Sequence, residues 1–155
     1  LNNLKFVEFP KLGLNELNKI VKKISKLEGG LLLIDYGYLT PQNKNTLQSL
    51  IKHKRNNLLD NLGKADITSL VNFNLLNEYF IKNNLKVKKI VTQKFFLEKM
   101  GIIERAKILE KNMNNKEKYN MFLTLKRLLD KKFMGELFKV IFAFKSETDN
   151  YLGFN

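Results

Sequence analysis

A chain of 155 residues with 44% hydrophobic and 28% charged side chains has enough apolar material for one substantial core, so a single domain, or part of one, is expected. With no cysteine and with His53 as its one histidine, the chain is excluded from disulfide scaffolds, thiolate or histidine-rich metal sites and paired catalytic histidines, and metal chemistry is not expected. A formal charge of +13 would suggest a nucleic-acid partner, but 25 Lys against 3 Arg are scattered along the chain beside 20 Asn, the pattern of an AT-rich genome, which favours solvated lysine faces.

In chain order, Lys5 to Phe9 alternates around Phe6, Val7 and Phe9 and stops at Pro10, which predicts a short edge or hairpin strand. Leu14, Leu17, Ile20, Val21, Ile24 and Leu27 recur at helical spacing, with Gly29-Gly30 as the stop. Leu31 to Ile34 then runs through four aliphatics without polar alternation, the pattern of a central strand covered by helices on both faces. Ligands of open α/β sheets bind beyond the carboxyl ends of such strands, which draws attention to Asp35, Tyr36 and Gly37. The competing reading is that Asp35 caps the next turn and Gly37 supplies a positive φ.

The polar passage from Tyr38 to Lys54 is placed to form a wall or lid of that crevice. Within it His53 has the chemistry of an acid or base, although a lone histidine between Lys52 and Lys54 more often sits on a surface. Asn61 to Thr68 reads as a turn entering a helix that runs to about Asn83, with Asp66 or Thr68 as its amino-terminal cap. Lys86 to Gln93 reads as a strand, Phe95 to Gly101 as a helical turn, Ile102 to about Lys111 as a helix, and residues 112–115 as a break. An amphipathic helix carrying Met121, Phe122, Leu125, Leu128 and Leu129 follows, then a strand from Leu137 to Phe144, rich in β-branched and aromatic residues. From Lys145 the chain looks like turn and terminus.

No repeat, Gly-rich phosphate loop, Walker lysine or Ser-His-Asp set is present. No apolar run reaches the roughly 18 residues of a membrane helix. The first residues show neither a signal-peptide core nor an initiator Met, so a soluble, intracellular protein lacking its first residues is expected. Residues alone lead to an α/β domain of three or four strands with a polar crevice beside Asp35.

Four ordered segments resemble the MidA-like family of S-adenosylmethionine-dependent methyltransferases, which includes the mitochondrial complex I assembly methyltransferase. They are Gly30 to Tyr38; Thr46-Leu47-Gln48 with His53-Lys54; Gly63 to Thr68 with Val71-Asn72-Phe73; and Val91-Thr92-Gln93 through Phe96-Leu97 and Gly101-Ile102. Met134-Gly135 with Leu137 to Val140 adds a fifth, so the likeness spans about residues 6–142. Leu70 stands where the family usually has histidine, and Asn72 where it usually has Asp. The family's glycine-rich cofactor loop, ribose acid and first four strands would lie before Leu1.

The resemblance implies that residues 1–155 are the carboxyl-terminal part of one methyltransferase domain, an α/β, Rossmann-like class I fold with a mixed sheet, an antiparallel last strand and flanking helices. Leu31 to Asp35 would be the fifth strand, Lys86 to Gln93 the sixth, and Leu137 to Phe144 an antiparallel seventh between them. The implied cofactor is S-adenosylmethionine, and the acceptor a protein, at arginine in the mitochondrial relative, with a complex I subunit as the implied partner. A protonated guanidinium needs carboxylates to orient it and take its proton, which singles out Asp35 and Asp66, then Glu8. Gly37 would allow close backbone approach and Tyr36 would line the acceptor channel; His53, Thr68 and Gln93 are crevice-side motif positions without an assigned role. The compartment would be the cytoplasm for a bacterial source and the mitochondrial matrix for a eukaryotic one. Two rival classes are a non-catalytic assembly or protein-binding module on the same fold, and a basic nucleic-acid-binding domain, which would bind with steep salt dependence.

Overall fold

A computed structural model of the chain describes residues 5–41, 43–52, 54–147 and 149–155. Residues 5–10 lead without regular structure into α1 (Lys11–Leu27), whose Leu17, Val21 and Ile24 turn inward at helical spacing. The helix ends on Glu28, not on the glycines: Glu28 is left-handed (φ 53°), and its N–H and that of Gly29 bond back to the Ile24 carbonyl. β1 (Gly30–Tyr38) follows, then β2 (Gln48–Ile51), β3 (Lys54–Asn56), β4 (Asp66–Thr68) and β5 (Val71–Asn72). α2 (Phe73–Lys82), the short β6 (Lys86–Val87) and β7 (Val91–Thr92), α3 (Gln93–Lys99), α4 (Ile102–Glu110), α5 (Asn115–Leu129), α6 (Met134–Leu137) and β8 (Phe138–Phe144) complete the order.

The main sheet runs β5-β1-β8-β6, with β7 also on β8. β8 lies antiparallel to β1 in an unbroken register from Gly30 opposite Phe144 to Tyr36 opposite Phe138, and antiparallel to β6 and β7 on its other side. An antiparallel strand inserted between two others is the arrangement that the family resemblance implies. β2, β3 and β4 form a separate three-stranded antiparallel sheet.

One cluster makes the core: Leu17, Val21 and Ile24 of α1 pack with Phe73 and Phe80 of α2, Leu85, and Ile141 and Ala143 of β8. Burying a side chain such as Phe80 contributes about 1.5–3 kcal/mol, so a few such residues outweigh every exposed ion pair of the chain. The opposite face of β8 is also closed, since Val140 and Phe144 are buried and, from the tail, Tyr151 meets the Phe142 ring edge-on and Phe154 stacks on it. The residues after Lys145 therefore form an aromatic cover, with Lys88 of the 88–90 segment paired to Asp149 at 2.6 Å.

Several expectations are corrected by this arrangement. The strand closed on both faces is β8. β1 buries only the side of Leu31 and Leu33; Leu32 and Ile34 on its other side are 43% and 41% exposed, and among the described residues nothing pairs with its second edge before Gly37. A purely aliphatic run records that both faces are apolar, not that this chain covers them. Residues 5–9 form no strand, because the segment is held by side chains instead: the Lys5 N–H donates to Asn43 Oδ1 at 2.8 Å, and Glu8 bonds Thr46. The helix expected from Thr68 begins at Phe73, capped by Asn72 Oδ1 accepting the Leu75 N–H at 3.1 Å; Asp66 and Thr68 sit in β4. The strand expected over 86–93 is two short pieces, with the Lys88 N–H still bonded to the Phe142 carbonyl between them and Gln93 already in α3.

α5 opens with a capping box in which Asn114 Oδ1 accepts the Glu117 N–H at 3.0 Å and Glu117 Oε2 accepts the Asn114 N–H at 2.9 Å. Asn114→Ala is expected to lower stability by about 1 kcal/mol, read from chemical denaturation.

Candidate functional site

The carboxyl end of β1 borders a cleft of about 730 Å³ between the 5–10 segment, α1, the loop around Asn45 and the start of α2. Aliphatic side chains such as Leu14, Leu17, Leu33 and Leu75 make most of its wall. Its charged lining residues are all acids, Glu8, Glu16 and Asp35, in a chain that carries 28 Lys and Arg against 15 Asp and Glu. A cavity of opposite sign to the molecule around it focuses an attractive potential for cations. Glu16 is already matched by Lys19 at 2.7 Å on the outer surface. Neither Glu8 nor Asp35 has an ion-pair partner within 4.0 Å among the described residues.

Asp35 projects from the last turn-ward part of β1, exposed, with Oδ1 accepting the Tyr36 N–H at 2.7 Å. Glu8 is half-buried and accepts two bonds from Thr46, from its N–H at 2.9 Å and from its hydroxyl at 2.7 Å. Tyr38 lines the same cleft. Burial pushes its hydroxyl pKa up, the Glu8 carboxylate adds to the rise, and a side-chain hydrogen bond with Asn72 partly offsets it. The phenol therefore stays protonated near neutral pH.

Of the residues singled out in the sequence, Glu8 and Asp35 are brought together on the cleft wall, whereas Asp66, Tyr36, Gly37, Thr68 and Gln93 are not among its lining residues. Asp66 is exposed in β4, opposite Leu50. Thr68 is beside it and accepts from Gln48 Nε2 at 3.1 Å. Tyr36 lies on the open side of β1, its ring 4.3 Å from that of Phe138. Gln93 is buried and ties α3 to α5 by donating to the Leu128 carbonyl at 2.9 Å. His53 lies outside the described residues. Gly37 is buried and has no positive φ; its role is steric, because a methyl there would land on the Val71 carbonyl oxygen and the Phe73 ring where β1 meets β5. Tyr38 and Asn72 line the cleft, and Thr46 holds Glu8 there without lining it; that contact spans 38 positions of sequence and carries no local signal.

Among the described residues no group of three or more His, Cys, Asp or Glu could hold a metal ion, and no helix is long and apolar enough to cross a membrane.

Comparison with known proteins gives a consistent set. Residues 4–91 match the family described as "Putative S-adenosyl-L-methionine-dependent methyltransferase". The chain is 30% identical over 114 residues to the protein arginine methyltransferase NDUFAF7 homolog, mitochondrial, of Caenorhabditis elegans, covering 69% of this chain and 26% of that protein. It is 30% identical over 124 residues to the Xenopus tropicalis protein arginine methyltransferase NDUFAF7, mitochondrial, covering 79% of this chain and 28% of that protein. The chain thus spans little more than a quarter of the length of these curated relatives. Its fold is similar to that of a Burkholderia thailandensis crystal structure at a TM-score of 0.72 and 23% identity, over 86% of this chain and 38% of the other. A second Burkholderia thailandensis structure, bound to S-adenosyl-homocysteine, gives a TM-score of 0.69 at 21% identity, over 88% and 38%.

Proposed function

Because this chain belongs to the family of S-adenosyl-L-methionine-dependent methyltransferases, we propose that residues 1–155 are the carboxyl-terminal part of a single methyltransferase domain and that the cleft beside Asp35 is the acceptor side of its crevice. The acceptor in this reading is a protein side chain, arginine by analogy with the relatives' names, and a respiratory complex I subunit is the first substrate to try. The cytoplasm of a bacterium or the matrix of a mitochondrion is the matching compartment. The observation that carries the reading is a cleft whose charged lining residues are all acids in a strongly basic chain, at the strand end where α/β folds bind ligands.

The residues present do not make a cofactor site by themselves: the glycines are dispersed, and the one adjacent pair, Gly29-Gly30, leads into a strand instead of following one. S-adenosylmethionine supplies the methyl group of such reactions. The work left to this chain is on the other reactant. Asp35 and Glu8 attract and orient a cationic side chain, the aliphatic wall strips water from its stem, and a carboxylate takes up the proton that the acceptor nitrogen must lose. Asp35, with one oxygen on the Tyr36 N–H and no ion-pair partner among the described residues, is the proposed proton acceptor. Asp66 remains a second proposed acid, acting from the small sheet.

The full-length protein, incubated with labelled S-adenosylmethionine and a complex I subunit, is expected to yield methylated protein; absence of cofactor binding by the intact protein would overturn the proposal. The isolated 155 residues are expected to show no measurable cofactor binding by titration calorimetry and to self-associate, because β1 leaves an unpaired edge beside exposed Leu32 and Ile34. Micromolar binding by a monomeric 155-residue chain would put the cofactor site within these residues and overturn that assignment.

A further inference from the structure

We propose that Thr46 is a positioning residue, which aims the Glu8 carboxylate at the cationic head of the methyl acceptor; this rests on the methyltransferase reading above. Thr46 gives both of its donors to one carboxylate, its N–H to Oε1 at 2.9 Å and its hydroxyl to Oε2 at 2.7 Å. The direction of the hydroxyl is set, because its oxygen accepts the Leu70 N–H at 2.9 Å and its proton is thereby turned towards Glu8. One threonine thus fixes the carboxylate relative to the loop that follows β1 and to the residues that enter β5.

A carboxylate has about four acceptor sites, and Thr46 takes two of them. The others are left for a donor in the cleft that Glu8 lines. No Lys or Arg lines that cleft among the described residues, so none of them supplies a cationic donor. A half-buried negative charge without a counter-ion costs stability, and the cost is relieved when a cation arrives from outside. The aliphatic stem of that ligand has Leu14, Leu17, Leu33 and Leu75 to lie against, and Tyr38 adds a protonated hydroxyl near Glu8. The chemistry asked for is an alkyl chain ending in a guanidinium or ammonium group.

Two probes of equal shape separate charge from fit: Nα-acetyl-arginine amide, and the same compound of citrulline, in which a neutral urea replaces the guanidinium. Titrated by calorimetry into the full-length protein saturated with S-adenosylhomocysteine, the arginine compound is expected to bind about tenfold more tightly or better, the scale of a charge-assisted hydrogen bond. Glu8→Gln is expected to abolish the preference, Thr46→Val to remove most of it, and Thr46→Ser, which keeps the hydroxyl, to retain it. Melting temperatures of each variant are read alongside. Equal affinity for the two probes, or no binding of either, overturns the proposal, as does a Thr46→Val protein that melts earlier yet keeps the wild-type preference. Should Thr46→Val not fold, the Glu8→Gln comparison decides. A protein that binds S-adenosylhomocysteine and methylates its substrate but shows no probe preference sinks the Glu8–Thr46 inference alone; one that fails to bind S-adenosylhomocysteine sinks the methyltransferase reading itself.

Discussion

Asp35→Asn in the full-length protein is expected to lower methyl transfer by about a hundredfold or more, the usual contribution of a positioned acid or base. Its melting temperature should barely move. The side chain is exposed, its hydrogen bond to the Tyr36 N–H can be made by an asparagine oxygen, and no ion pair among the described residues is lost. A cap-like role would give the reverse pattern, about 1 kcal/mol of stability lost with turnover per folded molecule unchanged. Turnover and a thermal melt measured on the same preparation distinguish the two. The same pair of measurements on Asp66→Asn tests the acid outside the cleft wall: a fall in turnover at constant melting temperature would bring the small sheet into the chemistry.

Gly37→Ala should destabilise the protein by about 3 kcal/mol, at the upper end for overpacking a filled core. The added methyl meets the Val71 carbonyl oxygen, which belongs to the paired backbone of β5, and the ring of Phe73, which is fully buried. Neither neighbour can step aside. For a chain of this size the corresponding fall in melting temperature is about 6–12 °C. Gly29→Ala is the control, because a methyl there meets nothing within 4 Å, and a change of no more than about 0.5 kcal/mol is expected. Equal effects at the two glycines would show that the close approach of β1 to β5 is not what requires Gly37.

The parts of the fold that could be read from the residues are those whose pattern is set by local periodicity. Leu17, Val21 and Ile24 mark the inner face of α1, and the run from Phe138 to Phe144 marks a strand, because each element buries a whole stripe or both faces. Adding the family resemblance gave the antiparallel insertion of that strand between β1 and β6. The small sheet was not legible. Its strands are three or four residues long and largely polar, and they are held by side-chain bonds such as Asn56 Nδ2 to Ser49 Oγ at 3.1 Å, which no period announces. The cap of α2 was misplaced for a related reason: Asp66, Thr68 and Asn72 all suit a cap, and the pairing of β2 with β4 claims the first two. Of the cleft, Asp35 could be found from its place at a strand end. Glu8 came from the resemblance, and its fixing by Thr46 depends on a contact that only the folded chain makes.

β8 has a bearing on how the protein comes to be made. It is the centre of the main sheet, yet it pairs with β1 from a distance of about a hundred residues along the chain, so the β1 edge that it covers must wait while residues 39–137 are synthesised. Forming the sheet then closes a very long loop, which puts most of the folding barrier on a late and non-local step. During that interval Leu31 to Ile34 is an exposed, uncharged aliphatic segment of the kind that pairs with other chains. Yield in a heterologous host should therefore depend more on holdase chaperones and slow synthesis than on the stability of the finished fold.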